Sequence, residues 1–155
     1  MKKYSVDAMV VILVLGLLSG CAAWKLPPIT PEEQARLDEF AREEQTYLAK
    51  AMPFPLEFTI PKGEADEAWG RAQSFIGRYS SMKLQIATDF IIQTYNPGSL
   101  SGFGYYVTKT PMGDNVQITV QGLTDIYLAS ANQNAHILAY YIKTGELINP
   151  GLIKQ

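Results

Sequence analysis

The sequence is poor in the side chains on which most enzymes and metal sites depend. Its 155 residues include one cysteine and one histidine, and 18% of them are charged. A lone cysteine excludes a disulfide within the chain, and one histidine beside it leaves too few ligands for a zinc site. The net charge is −2 and no basic cluster is present, which excludes a typical nucleic-acid-binding surface. We therefore predict neither an enzyme nor a cofactor-binding protein.

Long apolar runs are also scarce, and the longest stands near the N-terminus. Two lysines precede the apolar segment 8–18, and the small residues Ser19 and Gly20 follow it. A membrane-spanning helix needs about 20 apolar residues, so this segment is too short for a permanent anchor. A basic start, a short apolar segment and small residues are the parts of a secretory signal peptide. The sequence predicts a cleaved signal peptide over residues 1–20.

The residue at the cleavage position is the only cysteine of the chain, Cys21. The run Leu18-Ser19-Gly20-Cys21 resembles the lipobox of bacterial lipoprotein signal peptides. The resemblance implies cleavage between Gly20 and Cys21, a diacylglyceryl group on the Cys21 thiol and an acylated amino terminus, with palmitate a usual acyl chain. Two or more acyl chains hold a protein stably on a bilayer. The alternatives are an ordinary cleaved signal peptide and an uncleaved anchor with an incidental cysteine.

The residue after Cys21 bears on which membrane is the partner. In well-studied Gram-negative lipoproteins an Asp at this position retains the protein in the inner membrane, and here the residue is Ala22. The lipoprotein resemblance therefore implies the outer membrane, with the protein on its periplasmic face. The inner membrane and the cell surface are the alternatives. Residues 21–30, which include two consecutive prolines, are interpreted as a lipid-anchored tether.

An amphipathic helix is predicted over residues 31–52. Thr30 is a suitable N-cap, Pro31 suits the first helical position, and Glu33 completes a capping box. Apolar residues from Leu37 to Ala51 fall along one side, and such a stripe must pack on something. Three interpretations stay open: the helix packs on its own domain, it docks a partner, or it forms a stalk between the anchor and the globular domain.

Residues 53–155 are predicted to form one α+β domain. Runs with alternating or β-branched apolar residues indicate strands at 56–60, 82–89, 90–95, 104–110 and 116–121. Three- and four-residue apolar spacing indicates helices after residue 63 and at 131–143. Helices at both ends of an antiparallel meander predict a sheet with helices packed on one face. The solvent-exposed face of the last strand should be lined by Gln117, Thr119 and Gln121.

The order of elements, with the helix start Ala65-Asp66-Glu67-Ala68-Trp69, resembles the helix-grip domains. Among lipoproteins it is similar to the domains of component C of the outer-membrane β-barrel assembly machinery. The resemblance covers about residues 56–145. It implies a curved sheet that grips a long helix and can hold an apolar ligand between them.

Few residues are candidates for chemistry or binding. His136 is predicted to be structural, because no residue nearby in sequence would serve as its orienting acid or nucleophile. The segment Gly98–Gly104 lacks a Lys and opens a strand, so we interpret it as a hairpin loop and not as a phosphate cradle. Phe103, Tyr105 and Tyr106 are candidate ligand or partner contacts. Adjacent tyrosines on a strand point to opposite faces, so one of the two should lie outside the core.

Two function hypotheses follow. The first is a lipid-anchored, non-catalytic adaptor that presents a sheet edge, the loop near Phe103 or the acidic first helix to another envelope protein. The second is a binding module that holds an apolar or glycan ligand between the sheet and the C-terminal helix. An unrecognised hydrolase that uses His136 is a third, weaker alternative. The first two differ in cavity volume, because a carrier needs an apolar void of several hundred cubic ångströms.

Overall fold

A computed structural model describes residues 29–98, 102–147 and 150–153. The predicted signal peptide and most of the tether, with Gly20 and Cys21, lie outside the described residues. The chain falls into two units that divide between Arg36 and Leu37. The sheet and its helices, described below, belong to the second unit.

The first helix, α1, spans Pro31–Ala51, as predicted to within one residue. Its capping box is formed at the start, where the Thr30 backbone N–H donates to Glu33 Oε2 (2.8 Å) and the Glu33 N–H donates to Thr30 Oγ1 (3.2 Å). The Thr30 hydroxyl also donates to Glu33 Oε2 (3.0 Å), and the two bonds that this carboxylate accepts from Thr30 lower the pKa of Glu33 because they favour its ionised form. The reciprocal bonds satisfy backbone N–H groups that an isolated helix end leaves unpaired.

The second unit contains a five-stranded sheet and two further helices. Its strands are β1 (Glu57–Pro61), β2 (Leu84–Ala87), β3 (Ile91–Thr94), β4 (Gly104–Met112) and β5 (Asn115–Leu123). Its helices are α2 (Ala65–Tyr79) and α3 (Leu128–Thr144), with short 3-10 turns at Lys62–Glu64 and Pro150–Leu152. The strand order is β1-β5-β4-β3-β2, and every neighbouring pair is antiparallel. The predicted α+β class with an antiparallel meander is confirmed.

The predicted bounds of four strands, β2 to β5, were wrong, and α3 begins three residues before the predicted 131. β2 covers four residues and not 82–89, because a register shift between Leu84 and Ile86 interrupts it and a turn ends it. In that turn Thr88 Oγ1 accepts the backbone N–H groups of Phe90 (3.2 Å) and Ile91 (3.0 Å), so Phe90 belongs to the turn and not to β3. β4 and β5 are longer than predicted, since pairing continues to Met112 and Asn115 around a tight hairpin.

α2 and α3 pack on one face of the sheet, and the core lies between them. Burial alternates along β1 and β5, with Phe58, Ile118 and Val120 turned toward the helices. Phe75 of α2 is 1% exposed, and its ring centre lies 5.8 Å from that of Tyr105 on β4 and 6.0 Å from that of Tyr141 on α3. One aromatic side chain therefore joins all three elements that form the core.

A glycine sets how closely α3 approaches the sheet. Gly122 of β5 pairs with Tyr105 of β4 and lies directly beneath Ala131 of α3. A Cβ at position 122 would overlap the carbonyl oxygen of Ala131 and lie 2.8 Å from its carbonyl carbon. Only glycine permits this contact between a strand backbone and a helix backbone.

Candidate interaction surfaces

The three aromatic residues proposed as contacts occupy different environments. Phe103 is 5% exposed and its ring packs edge-on against Tyr127 (6.1 Å between centres). Tyr105 is fully buried and faces the helices. Tyr106 is half-buried on the opposite face of the sheet. The prediction that one of the adjacent tyrosines lies outside the core is confirmed. Phe103 and Tyr105, however, are not available to a ligand at the surface.

Tyr105 contributes a polar group to the core. Its hydroxyl is buried and makes no hydrogen bond within the described part of the chain, although the fully buried Asn134 of α3 interacts with it. Burial raises the pKa of Tyr105, and Asn134 offsets a part of that shift. The hydroxyl therefore stays protonated at any physiological pH and supplies no general base.

His136 connects α3 to an earlier segment of the chain. Its ring is half-buried, and the Nδ1–H donates to the backbone carbonyl oxygen of Phe54 at 2.8 Å. This bond ties α3 to the segment that leads into β1. A backbone carbonyl can orient a functional imidazole as well as a structural one, so the structural role of His136 stays a prediction.

The space between sheet and helices is filled at the positions where a carrier would need a cavity. Tyr105, Val107 and Ile118 on the strands are all 0% exposed. The α3 side chains that face them are equally inaccessible, namely Ile137, Leu138 and Ile142. A void large enough for a ligand would leave its lining accessible to a water-sized sphere. These side chains therefore line no such void.

The N-terminal end of α3 forms an apolar surface. Three consecutive large residues there, Ile126, Tyr127 and Leu128, are 51%, 48% and 68% exposed. Leu128 also lines a surface cleft of about 380 Å³. The other residues that line this cleft are Leu56, Gln121, Gly122, Ala131, Asn132 and Ala135. We name the three consecutive residues and this cleft the α3-start surface. This surface was not among the predicted contacts, although three consecutive apolar residues before a helix are a signal that the sequence contains.

The sheet face opposite the helices is a second surface, which we name the open face. Strand register assigns its side chains to three rows across the sheet. The rows are Thr59, Gln117 and Thr110; Glu57, Thr119, Thr108 and Ile91; and Gln121, Tyr106, Gln93 and Ile86. All of these side chains are exposed or half-buried. The predicted solvent-exposed face of β5 is confirmed, and it extends across the neighbouring strands.

A smaller cleft of about 210 Å³ lies beside the start of α2 and includes Lys109. The Lys109 ammonium is engaged, since it lies 3.6 Å from Asp66 Oδ1 and 5.1 Å from the centre of the Trp69 ring. The lysine side chain is 12% exposed and the Asp66 side chain is fully exposed. These contacts explain the position of Lys109 without a ligand.

The C-terminal end of α1 packs on α3. For that part of the helix, the interpretation that it packs on its own domain is correct. The Tyr47 hydroxyl donates to the Glu146 backbone oxygen (3.2 Å), and the Tyr47 and Tyr140 rings meet edge-on at 5.6 Å. Tyr140 donates to Glu146 Oε2 at 2.7 Å, which lowers the pKa of Glu146 and raises that of Tyr140. Earlier in α1, Leu37 and Phe40 remain 53% and 47% exposed. The apolar stripe is therefore covered by the domain only at its end.

No family model, curated protein or solved structure matches the chain. The lipoprotein and helix-grip resemblances accordingly remain predictions. In the described part of the chain no helix combines the length and the apolar character that crossing a bilayer requires. Nor do the described residues include a group of three or more His, Cys, Asp or Glu side chains that could hold a metal ion.

Proposed function

We propose that the protein is a lipid-anchored, non-catalytic adaptor of the cell envelope. Its anchor is the acylated Cys21, and its working location is the periplasmic face of the outer membrane. The partner is another envelope protein. The lipobox-like sequence supports the anchor, and the exposed surfaces of the second unit support the adaptor role.

The main support for the adaptor role is the exposed apolar character of the α3-start surface. Exposed apolar side chains that occur singly are ordinary, but contiguous ones beside a cleft mark interaction sites. Here Ile126, Tyr127 and Leu128 are consecutive and each about half exposed or more. The alternative, an apolar ligand held between sheet and α3, is not favoured, because the side chains at that place are inaccessible.

The anchor predicts a simple labelling result. The wild-type protein, expressed in a Gram-negative host, should incorporate radiolabelled palmitate and fractionate with the outer membrane. Cys21→Ser removes the thiol that carries the diacylglyceryl group, so it should lose the label completely. A Ser19→Ala variant keeps the thiol and a small residue before it, and should remain labelled. Wild-type protein without label, recovered from a soluble periplasmic fraction, would mean that Cys21 is not an anchor.

The adaptor role predicts position-dependent cross-linking in intact cells. A photoreactive phenylalanine analogue in place of Leu128 should form one discrete adduct with an envelope protein. The same analogue in place of Met112, which is 53% exposed on the β4–β5 hairpin, is the matched control and should form none. Equal adducts from both positions, or none from position 128, would contradict docking at the α3-start surface.

A further inference from the structure

The open face is polar and yet carries almost no charge. Among the side chains of its three rows, Glu57 alone is charged, and it lies on the edge strand β1. The remainder are mainly Thr hydroxyls and Gln amides, with Tyr106 among them. A solvated sheet face needs polar groups, but it commonly takes Lys and Glu for that purpose. The absence of such residues restricts what can bind there.

In the row that contains Gln121, Tyr106 and Gln93, an aromatic ring lies between two side-chain amides. Tyr106 lies opposite Gln121 on one neighbouring strand and opposite Gln93 on the other. The Gln93 amide nitrogen donates to Gln85 Oε1 at 3.3 Å, which fixes its orientation and extends the row to β2. Strands are spaced by about 4.8 Å, so the row from β5 to β2 is about 14 Å long. An aromatic ring thus has an amide on each side.

We propose that the open face binds an uncharged glycan chain along this row. Sugar rings present C–H faces, which stack on an aromatic ring, and hydroxyl groups, which both donate and accept hydrogen bonds. A Gln amide likewise donates and accepts, whereas Lys only donates and an ionised Glu only accepts. The neutral face matches a neutral ligand, and its length accommodates several sugar units.

Other classes of partner fit this face less well. Nucleic acids and anionic lipid surfaces require clustered Lys or Arg, and the three rows contain neither. Protein interfaces have an apolar core, with aromatic and Arg anchors. The rows of the open face contain one aromatic residue, two large aliphatic residues, Ile91 and Ile86, and no Arg; their other side chains are Thr, Gln and one Glu. The α3-start surface has the apolar character that a protein partner needs, so the two surfaces would serve different partners.

The test uses the full chain in mild detergent and the hexamer of N-acetylglucosamine as the probe. Isothermal titration should show saturable binding by the wild type, and an acidic hexamer of galacturonate should bind more weakly. Gln121→Glu places a charge on the row at an exposed position and should weaken binding by about tenfold. Gln73→Glu, an exposed residue of α2, makes the same change in net charge and should bind as the wild type does. Tyr106→Ala should also lose about tenfold, because it removes the stacking ring.

Three results would overturn this proposal. One is the absence of saturable binding of the N-acetylglucosamine hexamer by the folded wild type at millimolar concentration. Another is an equal effect of Gln121→Glu and Gln73→Glu. The third is a sedimentation result in which the wild type self-associates and Tyr106→Ala is a monomer. In that case a second copy of the chain, and not a glycan, would occupy the open face. Gln121 also lines the cleft of the α3-start surface, so the adaptor proposal is tested in the protein with Gln121 unchanged. The palmitate label and cross-linking at position 128 are measured there without any of these variants, so the two proposals can fail separately.

Discussion

Replacing Phe75 by alanine is expected to reduce the free energy of unfolding by about 3–5 kcal/mol. The side chain is 1% exposed, and its ring contacts Tyr79, Tyr105 and Tyr141 at centre distances of 5.0, 5.8 and 6.0 Å. Truncation loses the free energy gained by moving the ring from water into the core. It also leaves a cavity, because the sheet and α3 around the ring restrict collapse. Urea denaturation followed by circular dichroism measures the loss.

Phe90→Ala is the matched control for this substitution. Phe90 is 54% exposed in the turn between β2 and β3, so its loss should change stability by no more than about 0.5 kcal/mol. Phe75→Leu keeps much of the apolar volume and should lie between the two variants, which keeps the test informative if Phe75→Ala fails to fold. A cost for Phe75→Ala as small as that of Phe90→Ala would mean that the interior is loosely packed. That result would revive the carrier hypothesis.

Gly122→Ala is expected to destabilise the fold by about 1–3 kcal/mol through overpacking. The added methyl group would overlap the Ala131 carbonyl oxygen. Neither group can rotate away, because the methyl carbon is bonded to the β5 backbone and the oxygen is part of the α3 backbone. α3 must therefore shift away from β5, and the packing between the two would loosen. Thermal and urea unfolding measure the loss.

The same chemical change elsewhere should have the opposite sign. Gly77 lies on the exposed side of α2, and a Cβ there would meet nothing within 4 Å. Gly77→Ala should stabilise the protein by about 0.5–1 kcal/mol, since glycine is the poorer helix former. If Gly122→Ala were as stable as Gly77→Ala, the close approach of α3 to the sheet would be wrong.

The elements that could be predicted are those with a strong local pattern. The capping box of Thr30 and Glu33 and the alternation of Val116, Ile118 and Val120 predicted α1 and the faces of β5 correctly. The start of α3 was missed by three residues because its N-cap, Tyr127, makes no side-chain capping bond. The side-chain bonds at this end come from Thr124 Oγ1, which accepts the backbone N–H groups of Ile126 and Tyr127 (both 3.4 Å) four residues before the helix begins.

The surfaces were harder to predict because burial depends on distant contacts. Adjacent positions indicated that Tyr105 and Tyr106 face opposite ways, but which of them faces the core is set by the pairing of β4 with β3 and β5. Phe103 was expected near the surface, yet it packs beneath Tyr127, which is distant in sequence. The open face as a whole depends on the register of β1 and β3 with the hairpin, and no single segment shows it.

The central claim is that the protein works through its surfaces and holds no ligand in its interior. Native mass spectrometry on a secreted form of residues 21–155 with Cys21→Ser, recovered gently from its own periplasm, tests this most directly. We predict the mass of the bare polypeptide, or that mass with one envelope protein in fixed proportion. A discrete added mass of lipid, bound in stoichiometric amount, would contradict the account and identify the protein as a carrier.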